Sequence, residues 1–129
     1  MEEKRARLSG RIVPSLLVGD MGETLAFYRR LGFEITGQDS PADPPSWAEV
    51  TRDGVSMQFY SEPPIQTPVE PGLSGTLYMW SDNVSELADE FVAGGIELAW
   101  GPEVMGYGML EFGLRDPNGY MLAFTESGD

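Results

Sequence analysis

The chain has 129 residues and a formal net charge of −13, and it contains neither cysteine nor histidine. This length can bury the core of one domain, and the absent residue types exclude disulfides, thiol catalysis and histidine-based metal or acid–base sites. An acidic chain repels nucleic acid and anionic membranes and attracts cations, although the charge could also serve solubility alone. We expect a cytoplasmic protein, because no apolar run resembles a signal peptide or a membrane span.

The first half of the chain predicts one helix among four strands. Asp20 can cap a helix that ends at Gly32. Asp53-Gly54 is a strong two-residue hairpin turn. The predicted strands, in chain order, are 12–18, 33–37, 47–52 and 55–61.

The second half repeats this order at a spacing of 63 residues, so that Met21 matches Val84 and Tyr28 matches Phe91. One constant offset over many positions is typical of a duplicated unit. The second unit's predicted elements are a helix at 84–93, which Asn83 can cap as the repeat partner of Asp20, and strands at 76–81, 96–100, 109–115 and 120–125, the last two joined by Asp116-Pro117-Asn118-Gly119. We therefore predict one domain over 1–129, with a first module at 11–62, a linker at 63–72 and a second module at 73–126.

Two segments carry a family resemblance that covers nearly the whole chain. Val18-Gly19-Asp20 through Phe27-Tyr28-Arg29-Arg30-Leu31-Gly32-Phe33, and Leu114-Arg115-Asp116-Pro117-Asn118-Gly119-Tyr120, resemble the glyoxalase/bleomycin resistance/dioxygenase superfamily, whose fold is called vicinal-oxygen-chelate. The resemblance implies an α+β fold in which two βαβββ modules form a cupped mixed sheet, with the helices outside and a ligand cavity inside. It also implies a homodimer.

Enzymes of this family bind a divalent metal through residues on the first and last strand of each module. The matching positions in this sequence are Val13, Gln58, Thr76 and Ala123. Divalent metals in such sites prefer histidine or carboxylate ligands, and this set provides neither. We therefore expect no metal and no cofactor.

Within the superfamily the chain looks most like the bleomycin-resistance proteins, which sequester a drug and do no chemistry on it. The matching residues are Leu77-Tyr78-Met79-Trp80, Glu86-Leu87, Tyr107-Gly108 and Glu111-Phe112-Gly113-Leu114-Arg115-Asp116-Pro117. In those relatives the drug lies in crevices between two protomers. The resemblance thus implies a dimer with its ligand at or near the interface.

Strand alternation predicts which side chains line the cavity. If Val13 and Thr76 face inward, so do Ser15, Leu17, Tyr78 and Trp80. Pairing across the two turns adds Trp47, Glu49 and Tyr60 beside Gln58, and Phe112, Leu114, Met121 and Thr125 beside Ala123, while Glu111 faces away. Tyr107, in Gly106-Tyr107-Gly108, is predicted to act as an adaptable lid or to be an ordinary loop residue. The candidate ligand-binding residues are therefore Trp47, Glu49, Gln58, Tyr60, Tyr78, Trp80, Tyr107, Phe112 and Met121.

These residues predict a cavity that stacks planar rings and attracts a positive charge to Glu49. The alternative is that the aromatic side chains are simply core and that Glu49 lies at a solvated rim. No catalytic residue is assigned. We expect a metal-free homodimer that sequesters a cationic, partly aromatic compound such as a bleomycin-type antibiotic. Two alternatives stay open, a lyase or oxygenase of the same superfamily with an atypical metal site, in which Glu49 could act as a general base, and an acidic protein-interaction module.

Overall fold

The computed structural model describes residues 5–8, 11–62 and 70–126. The helices are α1, Met21–Arg30, and α2, Val84–Ala93. The strands are β1, Ser15–Leu17; β2, Glu34–Gln38; β3, Trp47–Arg52; β4, Val55–Tyr60; β5, Thr76–Trp80; β6, Trp100–Val104; β7, Leu110–Arg115; and β8, Met121–Glu126. Within these ranges neither helix has the length and apolar character needed to cross a membrane.

Both helices begin at a capping side chain that the sequence predicts. Asp20 accepts a hydrogen bond from Glu23 N at 2.9 Å, and Asn83 accepts one from Glu86 N at 3.0 Å. These bonds satisfy backbone donors that would otherwise lack partners in the first turn. Gly32 follows α1 with φ 86°, as its predicted place at the helix end requires.

The duplication is visible in the topology, which confirms the predicted α+β fold of two βαβββ modules. The strand orders are β1-β4-β3-β2 in the first sheet and β5-β8-β7-β6 in the second. In each sheet the first strand of the module pairs in parallel with its last strand. Most of the predicted linker at 63–72 lies outside the described residues.

One face of each sheet packs on the helix of its own module. In the first module Tyr28 lies against Phe33 and Phe59. In the second module Phe91 packs edge-on against Phe112 and Phe124. The opposite, concave face of the second sheet is open, since Tyr78 is 48% and Trp80 67% exposed.

The register of the first hairpin is the predicted one, whereas that of the second is shifted by one residue. Trp47 pairs with Tyr60 and Glu49 with Gln58 across Asp53-Gly54. In the second hairpin Phe112 pairs with Phe124, and Gly113 is the partner of Ala123. The Asp116 side chain accepts bonds from Asn118 N and Tyr120 N, so the turn is one residue longer than predicted. Such a slip moves every side chain of a strand to the other face.

The strand predicted at 96–100 is also wrong, because β6 begins only at Trp100. The Ile96 backbone N–H is still bonded to the Phe91 carbonyl at 3.0 Å, and its side chain is buried. The segment after α2 therefore completes the end of the helix before the chain enters the sheet.

The two modules meet at two equivalent junctions, in each of which the hairpin turn of one module lies against the helix of the other. At the first, Tyr28 OH donates to Asp116 Oδ2 at 2.9 Å. At the second, Arg52 Nη1 donates to Glu90 Oε2 at 2.7 Å, and the guanidinium lies 6.0 Å from the centre of the Phe91 ring. Tyr28 and Phe91 are repeat partners, and Arg52 and Asp116 both close β-hairpins. The fold therefore has an approximate internal twofold symmetry.

Candidate functional site

The concave face of the first sheet brings together four of the predicted site residues. Trp47 lies opposite Tyr60, and Glu49 opposite Gln58. All four are partly exposed, since α1 covers the other face of this sheet. The structure thus places an indole, a phenol, an amide and a carboxylate on one accessible surface.

Glu49 accepts hydrogen bonds from side chains on both neighbouring strands. Thr36 Oγ1 donates to Glu49 Oε1 at 2.9 Å, and Gln58 Nε2 donates to Oε2 at 3.3 Å. Hydroxyl contacts of 2.9 and 2.8 Å continue this network through Thr51 to Ser56. These donors orient the carboxylate without neutralising it, so its charge is available to a ligand.

The concave face of the second sheet differs from the prediction at one strand. Tyr78 and Trp80 lie on it beside Ala123 and Thr125, and Met121 is on the same face opposite Thr76. Phe112 is not on it, because this fully buried ring stacks on Phe124 beneath α2, and Leu114 is likewise in the core. Glu111, predicted to face away, is on the concave face as the partner of Thr125. The one-residue shift of the second hairpin explains why Phe112 and Leu114 face the core and why Glu111 faces the concave side.

Glu111 is the carboxylate of this second face, and two phenols enclose it. Tyr107 OH donates to Glu111 Oε1, and Tyr78 OH donates to Oε2 at 3.5 Å. Glu111 is only 1% exposed, whereas Tyr107 is 57% exposed. The hydrogen bond to Glu111 is the main cause that raises the pKa of Tyr107 well above the usual value, with burial a smaller cause. Tyr107 therefore covers the carboxylate from the solvent side.

On each concave face a tryptophan ring also packs against a glycine of a neighbouring strand. The Trp100 ring lies directly over Gly113, where any β-carbon would collide with it. A β-carbon on Gly37 would meet the Trp47 ring at 3.4 Å. The sequence reasoning missed Trp100, because the wrong strand bounds at 96–100 concealed its partner.

The residues at the family's metal positions do not fit a metal. Val13 lies before β1, Gln58 already donates to Glu49, and Ala123 is a buried methyl group opposite Tyr78. Thr76 adds one neutral hydroxyl. Elsewhere in residues 5–8, 11–62 and 70–126 no three histidine, cysteine or carboxylate side chains cluster closely enough to hold an ion.

The family assignment follows from a sequence comparison over this duplicated fold. The model of the Glyoxalase/Bleomycin resistance protein/Dioxygenase superfamily matches residues 10–124. The chain belongs to this superfamily. No curated protein sequence matches it.

Solved structures share this fold over almost their whole length. A bleomycin resistance determinant encoded on the transposon Tn5 is 26% identical, with 92% of this chain and 98% of that chain covered and a TM-score of 0.71. A bleomycin-binding protein in complex with bleomycin is 23% identical, with 92% and 99% covered and a TM-score of 0.70. A lactoylglutathione lyase from Agrobacterium tumefaciens is 18% identical, with 95% and 97% covered and the same TM-score of 0.70.

Proposed function

We propose that this superfamily member is a metal-free, dimeric binding protein that sequesters a cationic, partly aromatic small molecule, with bleomycin-type antibiotics as the first candidates. The observation that carries this proposal is the pairing of one carboxylate with aromatic side chains on each open concave face. Glu49 lies beside Trp47 and Tyr60, and Glu111 beside Tyr78 and Tyr107.

The chemistry of both faces favours a ligand that is flat and positively charged. Indole and phenol rings stack on planar groups and attract cations, with roughly 0.5–2 kcal/mol for each cation–π contact. A carboxylate held by neutral donors, as Glu49 is, keeps its charge and attracts an ammonium group. The residues at the family's metal positions do not form a metal site that would favour catalysis over binding.

A homodimer would complete these faces. In a single chain Tyr78 is about half exposed and Trp80 about two-thirds exposed on an open sheet surface. Exposed apolar surface of this kind marks an interaction site. We propose that a second copy covers it and that the ligand lies at or near the interface. Sedimentation equilibrium of the purified protein should then give twice the mass of one chain; a monomer at micromolar concentration would contradict the dimer.

Thermal denaturation with and without bleomycin tests the ligand. At 100 times its dissociation constant a ligand stabilises the folded state by about 2.7 kcal/mol. No stabilisation by bleomycin or another cationic aromatic compound would argue strongly against drug sequestration. A stoichiometric divalent ion in the purified protein would overturn the metal-free assignment and favour the lyase or oxygenase alternative.

The role of the carboxylate is tested by Glu49→Gln, which keeps the shape and the Thr36 contact but removes the charge. We expect the dissociation constant for bleomycin to rise about tenfold, as removing one charge-assisted contact of roughly 1.4 kcal/mol requires. Glu97→Gln, at an exposed position between α2 and β6, is the matched control and should bind as the wild type does. Equal effects of the two variants would remove Glu49 from this role.

A further inference from the structure

A crevice of about 610 Å³ lies at the second junction between the modules, and Trp80 at the edge of the second concave face also lines it. One wall is the β3–β4 hairpin, with Arg52 and Val55; the other is α2 and the loop before it, with Asp82 and Leu87. Buried rings at its base belong to the hydrophobic core. This volume is within the usual range for small-molecule sites.

The internal symmetry shows what this crevice lacks. Val55 follows the first hairpin turn as Tyr120 follows the second, since Arg52 pairs with Val55 and Asp116 N bonds to Tyr120 O. Tyr120 is 2% exposed and its hydroxyl donates to the Leu17 carbonyl, so its ring fills the first junction. Val55 is far smaller. The second junction is therefore left open where the first is closed.

A second group fills the first junction and is also missing from the crevice. Asn118 Oδ1 accepts from Gly19 N at 2.9 Å, and Asn118 Nδ2 donates to Thr24 Oγ1 at 3.0 Å. The two-residue turn Asp53-Gly54 offers no counterpart of Asn118. The positions equivalent to Leu17, Gly19 and Thr24, which receive the contacts of Tyr120 and Asn118, are Trp80, Asp82 and Leu87, and all three line the crevice.

The charged residues that line the crevice indicate the charge of a ligand that would bind there. Among the described residues that line it are the carboxylates Asp53, Asp82, Glu86 and Glu90, against the guanidinium of Arg52. Arg52 is already paired with Glu90 at 2.7 Å. The local field therefore favours a cation.

We propose that this crevice is a second ligand site, which takes a small hydroxyaryl amine. Its ring occupies the place that Tyr120 fills in the other junction, its hydroxyl bonds to the backbone beside Trp80 and Asp82, and its ammonium group lies near Glu86. The crevice shares Trp80 with the second concave face, but its other lining residues named above lie off that face, so the proposal does not require bleomycin binding there.

Titration of the full-length protein with tyramine, followed by amide NMR, tests the proposal. We expect saturable shifts centred on Val55, Asp82 and Leu87, and weaker binding of phenethylamine, which lacks the hydroxyl. Shifts centred instead on Gln58 and Tyr60, or no saturable shift, would overturn the crevice site. Neither result would bear on bleomycin sequestration, which the Glu49→Gln comparison tests.

Two variants sharpen this test. Val55→Tyr supplies the missing ring from the protein itself and should weaken tyramine binding at least tenfold. Glu86→Gln should weaken it about fivefold through the lost charge. Glu23→Gln is the matched control, since Glu23 is the repeat partner of Glu86 in the first turn of α1, at the filled junction. Full tyramine affinity in Val55→Tyr, or equal losses in Glu86→Gln and Glu23→Gln, would contradict the proposal.

Discussion

The two junctions between the modules have the same backbone plan but different side chains. At one, Tyr120, Asn118 and Asp116 fill the space and form hydrogen bonds with Leu17, Thr24 and Tyr28 respectively. At the other, Arg52 forms a partly exposed ion pair with Glu90 and leaves a crevice beside Val55. One junction is therefore closed by buried side chains, whereas the other is partly open, and we expect the closed junction to contribute more to stability.

Opening the filled junction should cause the largest loss in the free energy of unfolding. Tyr120→Val makes it resemble its partner, and we expect a loss of about 2–4 kcal/mol in the free energy of unfolding, because a buried ring and its hydrogen bond to Leu17 are removed. Urea denaturation measures this loss. The converse change, Val55→Tyr, should cost nothing or add up to about 1 kcal/mol. Similar losses in the two variants would show that the junctions are equally packed.

Removal of the Tyr28 hydroxyl makes α1 resemble α2, in which Phe91 holds this position. Tyr28→Phe should cost about 1–3 kcal/mol, because Asp116 loses a buried donor. Burial first, and then the charge of Asp116, raise the pKa of Tyr28 well above its usual value. The stabilisation is therefore complete below about pH 10 and is lost as the pH rises further. Urea titrations at pH 8 and pH 11 should show that the free energy of unfolding falls less between these pH values in the variant than in the wild type.

The concave faces can be compared through their glycines. Gly113→Ala should cost about 1–3 kcal/mol, because the Trp100 ring must move to admit a β-carbon. Gly37→Ala should cost less than about 1 kcal/mol, since its β-carbon would meet the Trp47 ring at 3.4 Å. Thermal unfolding of the pair measures the contrast. A larger effect at Gly37 would show that Trp47 is the more tightly seated ring.

The smallest effect is expected at the exposed ion pair of the open junction. The Glu90 side chain is 49% and the Arg52 side chain 26% exposed, so solvent weakens their attraction. Glu90→Gln should therefore change the free energy of unfolding by less than about 1 kcal/mol. A change as large as that of Tyr28→Phe would mean that the two junctions contribute equally.

Much of the fold could be predicted from the sequence, because its signals are local. Asp20 and Asn83 cap the helices as expected, and the two-residue turn Asp53-Gly54 allows only one register. The second hairpin was mispredicted because the Asp116 side chain bonds to the backbone of Asn118 and Tyr120 and lengthens the turn. Because of this longer turn, the sequence placed Phe112 in the candidate site, where the structure has Glu111 instead. The crevice depends on contacts between distant segments, which no local pattern reports.

Because the hairpin turn of each module lies against the helix of the other, the turns should influence how readily the helices unfold locally. Asn118 bonds to the backbone just before α1 and to the Thr24 side chain within it, so the start of this helix is held by a turn about 100 positions away in the chain. Slow hydrogen exchange of amides in the first turns of α1 should therefore depend on the 116–120 turn. The corresponding amides of α2 should exchange faster, since a crevice adjoins them. The two helices, alike in length and capping, would then report opening of different cooperative units.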